Sequence, residues 1–137
     1  MALFVDTNVW SMAFRRDAPE GLPELHELER ALLDGETVVT TGLVLQELLQ
    51  GFKGPRSREM ITERFAALSL VSPSQADHVQ AAGIRNACRR RGVQVGTIDA
   101  LLAQLCIRHD LTMLTLDRDF DGIARHTEFK VWRHGLR

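Results

Sequence analysis

The sequence predicts an α/β domain built around a mainly parallel sheet. Short apolar runs, as expected for buried strands, alternate with segments whose apolar residues recur at helical spacing. The chain has 137 residues, of which 45% are hydrophobic and 26% charged, and these values are ordinary for one globular domain. We therefore expect residues 1–137 to fold as a single domain.

The first half of the chain opens with an apolar run at residues 1–5, which predicts a buried strand that ends at Asp6. Thr7 or Asn8 would cap the next helix, which continues to Phe14, because short oxygen-bearing side chains accept hydrogen bonds from first-turn amides. The following elements are predicted in chain order: a helix at 22–33 stopped by Asp34-Gly35, a strand at 37–40, a helix from Thr40 or Thr41 to Phe52, and a helix at 56–67 after Gly54-Pro55.

The second half continues the alternation without an internal repeat or a linker. Cys88 and Cys106 fall in predicted helices and lack the close spacing of a zinc or redox motif, so we expect buried, reduced thiols. The elements are a strand at 68–71, a helix at 74–91 with Gly92 as its cap, a helix at 98–109 opened by Thr97, a strand at 111–116, a polar turn or short helix, and a strand at 129–132.

The charge and hydropathy of the chain restrict its location and partners. No apolar run approaches the ~20 residues of a membrane span, and residues 1–6 resemble a strand, not a secretory signal, so we expect a cytoplasmic protein. The net charge of −1 does not by itself indicate a nucleic-acid binder. Without Asp6, Glu47, Asp99 and Asp117 the net charge would be +3, so this total is a weak objection to nucleic-acid binding.

Two of these acids directly follow predicted strands. Asp6 comes after the apolar run at 1–5, and Asp117 comes after Leu114-Thr115-Leu116. In open α/β sheets the ligand crevice lies outside the carboxyl ends of the strands, which makes both residues candidates for a site. An Asp in this position can equally be a turn former or a helix cap.

The other two acids lie on strongly apolar helices. Glu47 shares a face with Leu43 and Val44, so we expect it to be largely covered, either in a buried ion pair, at a solvated edge or beside a metal. Asp99 would lie in the first turn of a helix capped by Thr97, where the helix dipole alone favours an anion. The apolar residues that follow indicate that this helix end faces the interior or a cleft.

If the four acids converge on one crevice, cations are needed to offset their repulsion. Oxygen-only ligands suit Mg²⁺ or Mn²⁺. The five histidines, at positions 26, 78, 109, 126 and 134, are scattered and show no zinc spacing. The sequence therefore indicates a divalent metal site without histidine ligands.

Four segments of the chain, in their order and spacing, resemble the acidic motifs of PIN-domain ribonucleases, and most closely those of the VapC toxins of bacterial toxin–antitoxin pairs. The resemblance covers essentially the whole chain. The segments are Val5-Asp6-Thr7-Asn8, Gln46-Glu47, Thr97-Ile98-Asp99-Ala100, and the run from Leu114 through Asp117-Arg118-Asp119 to Phe120.

This resemblance implies a three-layer α/β/α fold with a mainly parallel central sheet. It also implies that Asp6, Glu47, Asp99 and Asp117 bind Mg²⁺ or Mn²⁺, with Asp119 as an auxiliary ligand. The hydroxyl residues expected to orient these acids are Thr7 and Thr97. The implied activity is endonucleolytic cleavage of RNA that leaves a 5′-phosphate and a 3′-hydroxyl, and the implied partners are a cognate antitoxin and a second copy of the chain.

A calcium-binding loop is the main competing interpretation. Residues 117–128, from Asp117 to Glu128, match the letters of an EF-hand pattern. The flanking segments are predicted strands, whereas an EF-hand needs two helices, and Arg125 would occupy a ligand position. We therefore expect no EF-hand here.

Further alternatives rest on the fold class alone. A phosphoacceptor receiver would need a lysine at a strand end, and neither Lys53 nor Lys130 is well placed. A dinucleotide-binding fold would need a glycine-rich motif after the first strand, and the sequence has none there. A non-catalytic PIN-like binding module stays open. The run Arg89-Arg90-Arg91 could contact RNA phosphates, although favourable charges at a helix C-terminus explain it better.

Overall fold

The structure, a computed structural model, describes residues 1–135. Its strands within that range form one fully parallel sheet in the order β3-β2-β1-β4-β5. In chain order the strands are β1 (Leu3–Val5), β2 (Val38–Thr40), β3 (Ser69–Leu70), β4 (Thr112–Leu114) and β5 (Lys130–Val131). This confirms the predicted parallel α/β sheet, with each strand one to three residues shorter than expected.

The helices pack in two groups. Helices α1 to α4 contact one another, and α5 to α7 contact one another, as right-handed crossovers on opposite faces of the sheet require. In chain order they are α1 (Thr7–Phe14), α2 (Pro23–Leu33), α3 (Gly42–Gly51), α4 (Pro55–Ala66), α5 (Gln75–Arg90), α6 (Thr97–Arg108) and α7 (Phe120–His126). The result is the expected three-layer α/β/α arrangement.

The central strands form the core because helices cover both of their faces. The three residues of β1 are fully buried, and Phe4 pairs with Val39 of β2 and Met113 of β4. Such strands consist of continuous apolar residues, which is why the sequence locates them well. Cys88 and Cys106 are buried free thiols, as expected.

Several helix ends follow the predicted signals. Gly35 and Gly92, which follow α2 and α5, have φ angles of +70° and +80°, a conformation that glycine adopts without strain. Ser74 caps α5 in a reciprocal capping box with Asp77. No helix within residues 1–135 is both long and apolar enough to cross a membrane.

The strand order determines where a site can form. The chain leaves β1 towards β2 and later returns to place β4 on the other side of β1. Ligand crevices of parallel α/β sheets open at such a reversal, outside the carboxyl ends of the two strands. Asp6 directly follows β1, and Thr115 to Asp117 follow β4.

Candidate active site

Asp6 is held rigidly at the end of β1. It is 8% exposed and caps α1, since its Oδ1 accepts a hydrogen bond of 2.8 Å from the backbone N–H of Thr7. Its Oδ2 accepts a second bond of 2.8 Å from the hydroxyl of Thr115. The expectation that Thr7 or Asn8 caps α1 is wrong, because Asp6 already lies at the cap position in extended backbone geometry.

Thr115 links the ends of β1 and β4. Besides donating to Asp6, its hydroxyl accepts hydrogen bonds from the backbone N–H of Asp117 at 3.0 Å and from Nδ2 of Asn8 at 3.4 Å. Asn8 Oδ1 in turn accepts a bond of 3.1 Å from the N–H of Leu116. The hydroxyl thus makes one donor and two acceptor contacts, its full capacity.

The sequence patterns predicted no role for Thr115. Its position two residues before Asp117, at the end of a buried strand, was the only local signal. The hydroxyls expected to orient the acids, those of Thr7 and Thr97, donate no hydrogen bond to a carboxylate within residues 1–135. Thr115 performs this orienting role for Asp6.

Asp117 and Asp119 follow β4 on one turn. The N–H of Asp119 donates a hydrogen bond of 2.9 Å to Asp117 Oδ1, which orients the Asp117 side chain. Asp117 is half-buried, whereas Asp119 is exposed at the cap position of α7. This turn therefore carries two carboxylates side by side at the carboxyl edge of the sheet.

Asp99 reaches the same place from α6. Gly96, not Thr97, is the N-cap of this helix, so the expectation that Thr97 caps it is wrong. A Cβ atom on Gly96 would lie 3.6 Å from Asp99 Oδ2, which shows that the Asp99 side chain folds back over the helix start. Burial, followed by the charges of Asp117 and other nearby acids, raises the pKa of Asp99 to about 6.

Glu47 lies at the rim of the crevice and not beneath it. It is exposed, which corrects the expectation that it is largely covered, because α3 fully buries only its stripe at Val44 and Leu48. Partial burial and the charge of Asp6 raise the pKa of Glu47. Glu47 and Thr7 line a common cavity of about 320 Å³.

The charges of the other four carboxylates all act on Asp99. After burial, the charges that raise the Asp99 pKa come from Asp117, Asp6, Asp119 and Glu47. Burial likewise raises the pKa of Asp6, against the opposing hydrogen bonds from Thr115 and Thr7, and Asp117 adds to the increase. The acids from β1, α3, α6 and the turn after β4 therefore lie close enough together to form one acidic crevice.

The residues of the crevice fit a hard divalent cation. All the donors are oxygens, and none of the five carboxylates forms an ion pair with Lys, Arg or His within residues 1–135. The buried hydroxyl of Thr7 also has no hydrogen-bond partner in the described part of the chain. Among residues 1–135, no group of three or more Asp, Glu, His or Cys side chains is close enough together to hold a metal ion as the side chains now lie. Binding of a metal would therefore draw the carboxylates closer together.

The structure excludes the EF-hand interpretation. Helix α7 occupies the middle of the 117–128 loop, so its residues cannot wrap around an ion. Asp121, a required ligand in that interpretation, instead pairs with Arg133. Glu128 is exposed just before β5.

The sequence model of the PIN domain matches residues 3–126, and the chain therefore belongs to the PIN-domain family. Within that family it belongs with the VapC group. Ribonuclease VapC11 of Mycobacterium tuberculosis is 31% identical over 133 residues, which cover 94% of this chain and 96% of the relative. Ribonuclease VapC13 of the same organism is 32% identical over 131 residues, covering 90% and 98%.

Solved structures confirm the PIN fold. A structure of VapBC2 from Rickettsia felis, bound to a promoter DNA fragment, matches with a TM-score of 0.74 and 20% identity over 96% of this chain and 98% of that chain. VapC20 of Mycobacterium tuberculosis, a Sarcin-Ricin loop cleaving toxin, matches with a TM-score of 0.65 and 18% identity over 93% and 98%. At these identities the likeness establishes the architecture alone.

Proposed function

We propose that this chain is a divalent-metal-dependent endoribonuclease and the toxin of a VapBC-type toxin–antitoxin pair. The observation that carries the proposal is the acidic crevice, in which five carboxylates from four segments of the chain meet without a cationic side chain paired to any of them within residues 1–135. Such a group needs a metal to offset its repulsion. The names of the VapC relatives support RNA as the substrate.

Asp6, Glu47, Asp99 and Asp117 would hold Mg²⁺ or Mn²⁺, with Asp119 as an auxiliary ligand. When bound, the metal supplies an activated water and neutralises charge on the phosphate. The chain itself preorganises the ligands, because Thr115 and the Thr7 amide fix both oxygens of Asp6.

The protonation state of Asp99 gives the activity a pH dependence. With a pKa raised to about 6 by burial and by Asp117, this carboxylate is largely protonated at pH 5 and ionised at pH 7. Only the ionised form is a good metal ligand. Metal binding and cleavage should therefore rise between these pH values.

The proposal includes partners and a location. We propose a cognate antitoxin that covers the acidic crevice, with an Arg presented to the carboxylates, a homodimer in solution, and action in the cytoplasm. A solved toxin–antitoxin complex from Klebsiella pneumoniae has the same fold over 96% of this chain, with a TM-score of 0.64 and 22% identity. Light scattering that finds only monomer at all concentrations would contradict the homodimer.

The test is cleavage of labelled single-stranded RNA by the purified chain. We expect no product in EDTA, cleavage after Mg²⁺ or Mn²⁺ is added, products with a 5′-phosphate, and no cleavage by Asp99→Asn. A non-catalytic PIN-like binding module would bind the metal and RNA but leave the RNA intact under every condition. That outcome would overturn the nuclease proposal.

A further inference from the structure

A second cavity, of about 210 Å³, adjoins the acidic crevice on the side of β5. Asp117 forms part of its wall and is the acid that the cavity shares with the crevice. The other side chains that matter here are Glu24, Arg118, Trp132, Arg133 and His134. The volume is below the roughly 300–1,000 Å³ of pockets for drug-sized ligands, and it suits a single ring system.

The sheet places the aromatic wall of this cavity at the same edge as Asp117. The backbone N–H of Trp132 donates a hydrogen bond of 2.8 Å to the carbonyl of Met113, which ties the end of β5 to β4. Carboxyl ends of parallel strands meet at one edge, so Trp132 leaves the sheet at the edge that carries Asp117. A nucleotide next to one held at Asp117 would therefore reach Trp132.

The aromatic side chains of the cavity are partly solvent-accessible. Trp132 is half-buried, and its ring centroid lies 6.2 Å from that of the exposed His134, at an interplanar angle of 44°. Trp10, the other tryptophan, is 6% exposed within the core. Single-stranded RNA is recognised largely by stacking of unpaired bases on such aromatic faces.

The charges around the rings suit a nucleotide. Arg118 is exposed and forms no ion pair within residues 1–135, so its guanidinium is available to a phosphate. Arg133 lines the same cavity as Glu24, but its guanidinium pairs with Asp121. Glu24 is therefore a half-buried carboxylate without a cationic partner in the described chain. An ionised carboxylate only accepts hydrogen bonds, so it selects ligands with N–H donors.

We propose that this cavity is a base-recognition subsite of the ribonuclease. It would hold the base next to the scissile phosphate against Trp132, with the adjoining backbone phosphate on Arg118 and N–H donors of the base on Glu24. Guanine presents two adjacent N–H donors at its Watson–Crick edge and uracil only one, so the subsite favours guanine. This proposal depends on the function proposed above, because it assigns part of that substrate.

The direct test is RNA binding without cleavage, using the Asp99→Asn protein in EDTA with short single-stranded oligonucleotides that contain either guanine or uracil as the only variable base. Trp132 emission should be quenched on binding, while the buried Trp10 stays unaffected. Trp132→Ala should weaken binding by roughly 5- to 150-fold, the range for one base–aromatic stack. Trp132→Phe keeps a stacking face and should retain most of the affinity, which separates stacking from damage to the fold.

Two polar variants complete the test. Arg118→Ala should weaken binding to both oligonucleotides equally and reduce the salt dependence by about one phosphate contact. Arg56→Ala, which removes an exposed guanidinium from the first turn of α4, should change neither. Glu24→Gln should reduce the preference for guanine over uracil and leave the uracil affinity unchanged.

The outcomes distinguish this proposal from the nuclease proposal. If the unmutated chain cleaves RNA with Mn²⁺ and Trp132→Ala cleaves it equally well with the same base preference, the subsite is refuted and the nuclease stands. Absence of any RNA binding, or quenching of Trp132 by the antitoxin and not by RNA, also refutes the subsite. Binding with the predicted Trp132 and Glu24 effects but no cleavage would support base recognition by the cavity and refute the nuclease proposal.

Discussion

Replacing Asp99 with asparagine should stabilise the metal-free protein while abolishing cleavage. Burial and the charges of Asp117 and other acids raise its pKa from 3.8 to about 6. A shift of ~2 units corresponds to ~3 kcal/mol of unfavourable interaction at 1.36 kcal/mol per unit. Because the group is only half-buried and solvent screens its charge, we reduce this value to about 1–2 kcal/mol.

For a chain of 137 residues, 1–2 kcal/mol corresponds to a rise in Tm of roughly 3–8 °C. The pH dependence has a definite sign. Since the folded-state pKa of Asp99 lies above the unfolded value, its contribution to stability is fully present below pH ~4 and lost as the pH rises through ~6. The Tm advantage of Asp99→Asn should therefore be largest at pH 7–8 and vanish near pH 4.

The assay is a series of thermal melts in EDTA from pH 4 to 8, repeated with Mn²⁺. At 100 times its dissociation constant, a ligand adds about 2.7 kcal/mol to the stability of the unmutated protein, so metal should reverse the order of the two Tm values. Glu59→Gln removes an exposed carboxylate on α4 and is the matched control. A lower Tm for Asp99→Asn at pH 8 in EDTA would refute the electrostatic account and make Asp99 structural.

Three further predictions concern ligands, orientation and packing. Glu47→Gln should lose Mn²⁺-dependent cleavage by orders of magnitude, whereas Glu128→Gln should keep it within a few fold; the opposite ranking would contradict the assigned metal site. Thr115→Val should reduce cleavage by roughly 10- to 100-fold and shift the activity profile to higher pH, and Thr115→Ser should restore both; equal activity of all three would argue against the orienting role. Gly122→Ala should lower the free energy of unfolding by about 1–3 kcal/mol in denaturant melts, since its Cβ would lie 2.7 Å from Val93 Cγ1, and Val93→Ala should recover part of the loss.

The sheet was predictable because helices cover its central strands on both faces. A fully buried strand such as β1 must be continuously apolar, and that pattern is visible without knowledge of its neighbours. Strand and helix ends were less accurate, since an apolar run continues past the last paired residue, as it does from Leu114 to Leu116 after β4. Local hydropathy does not record where pairing stops.

The acids of the crevice were also found from the sequence, but their surroundings were not. Helix α3 has apolar residues around most of its circumference, yet only Val44 and Leu48 are fully covered, so the exposure of Glu47 depended on how the neighbouring helices lie. Thr115 was missed because its partner Asp6 lies 109 residues away. A bond over that distance leaves no trace in local spacing.

That same separation bears on when the proposed activity can arise during synthesis of the chain. Closing a loop of 109 residues carries an entropic penalty that is recovered only when β4 pairs beside β1, so we expect the crevice to be completed late in folding. While the ribosome is still synthesising the chain, Asp6 and Glu47 emerge long before Asp99 and Asp117. If the chain is the proposed ribonuclease, we expect a nascent polypeptide that has not reached β4 to cleave no RNA, and a fragment that ends before β4 to be inactive in the cleavage assay.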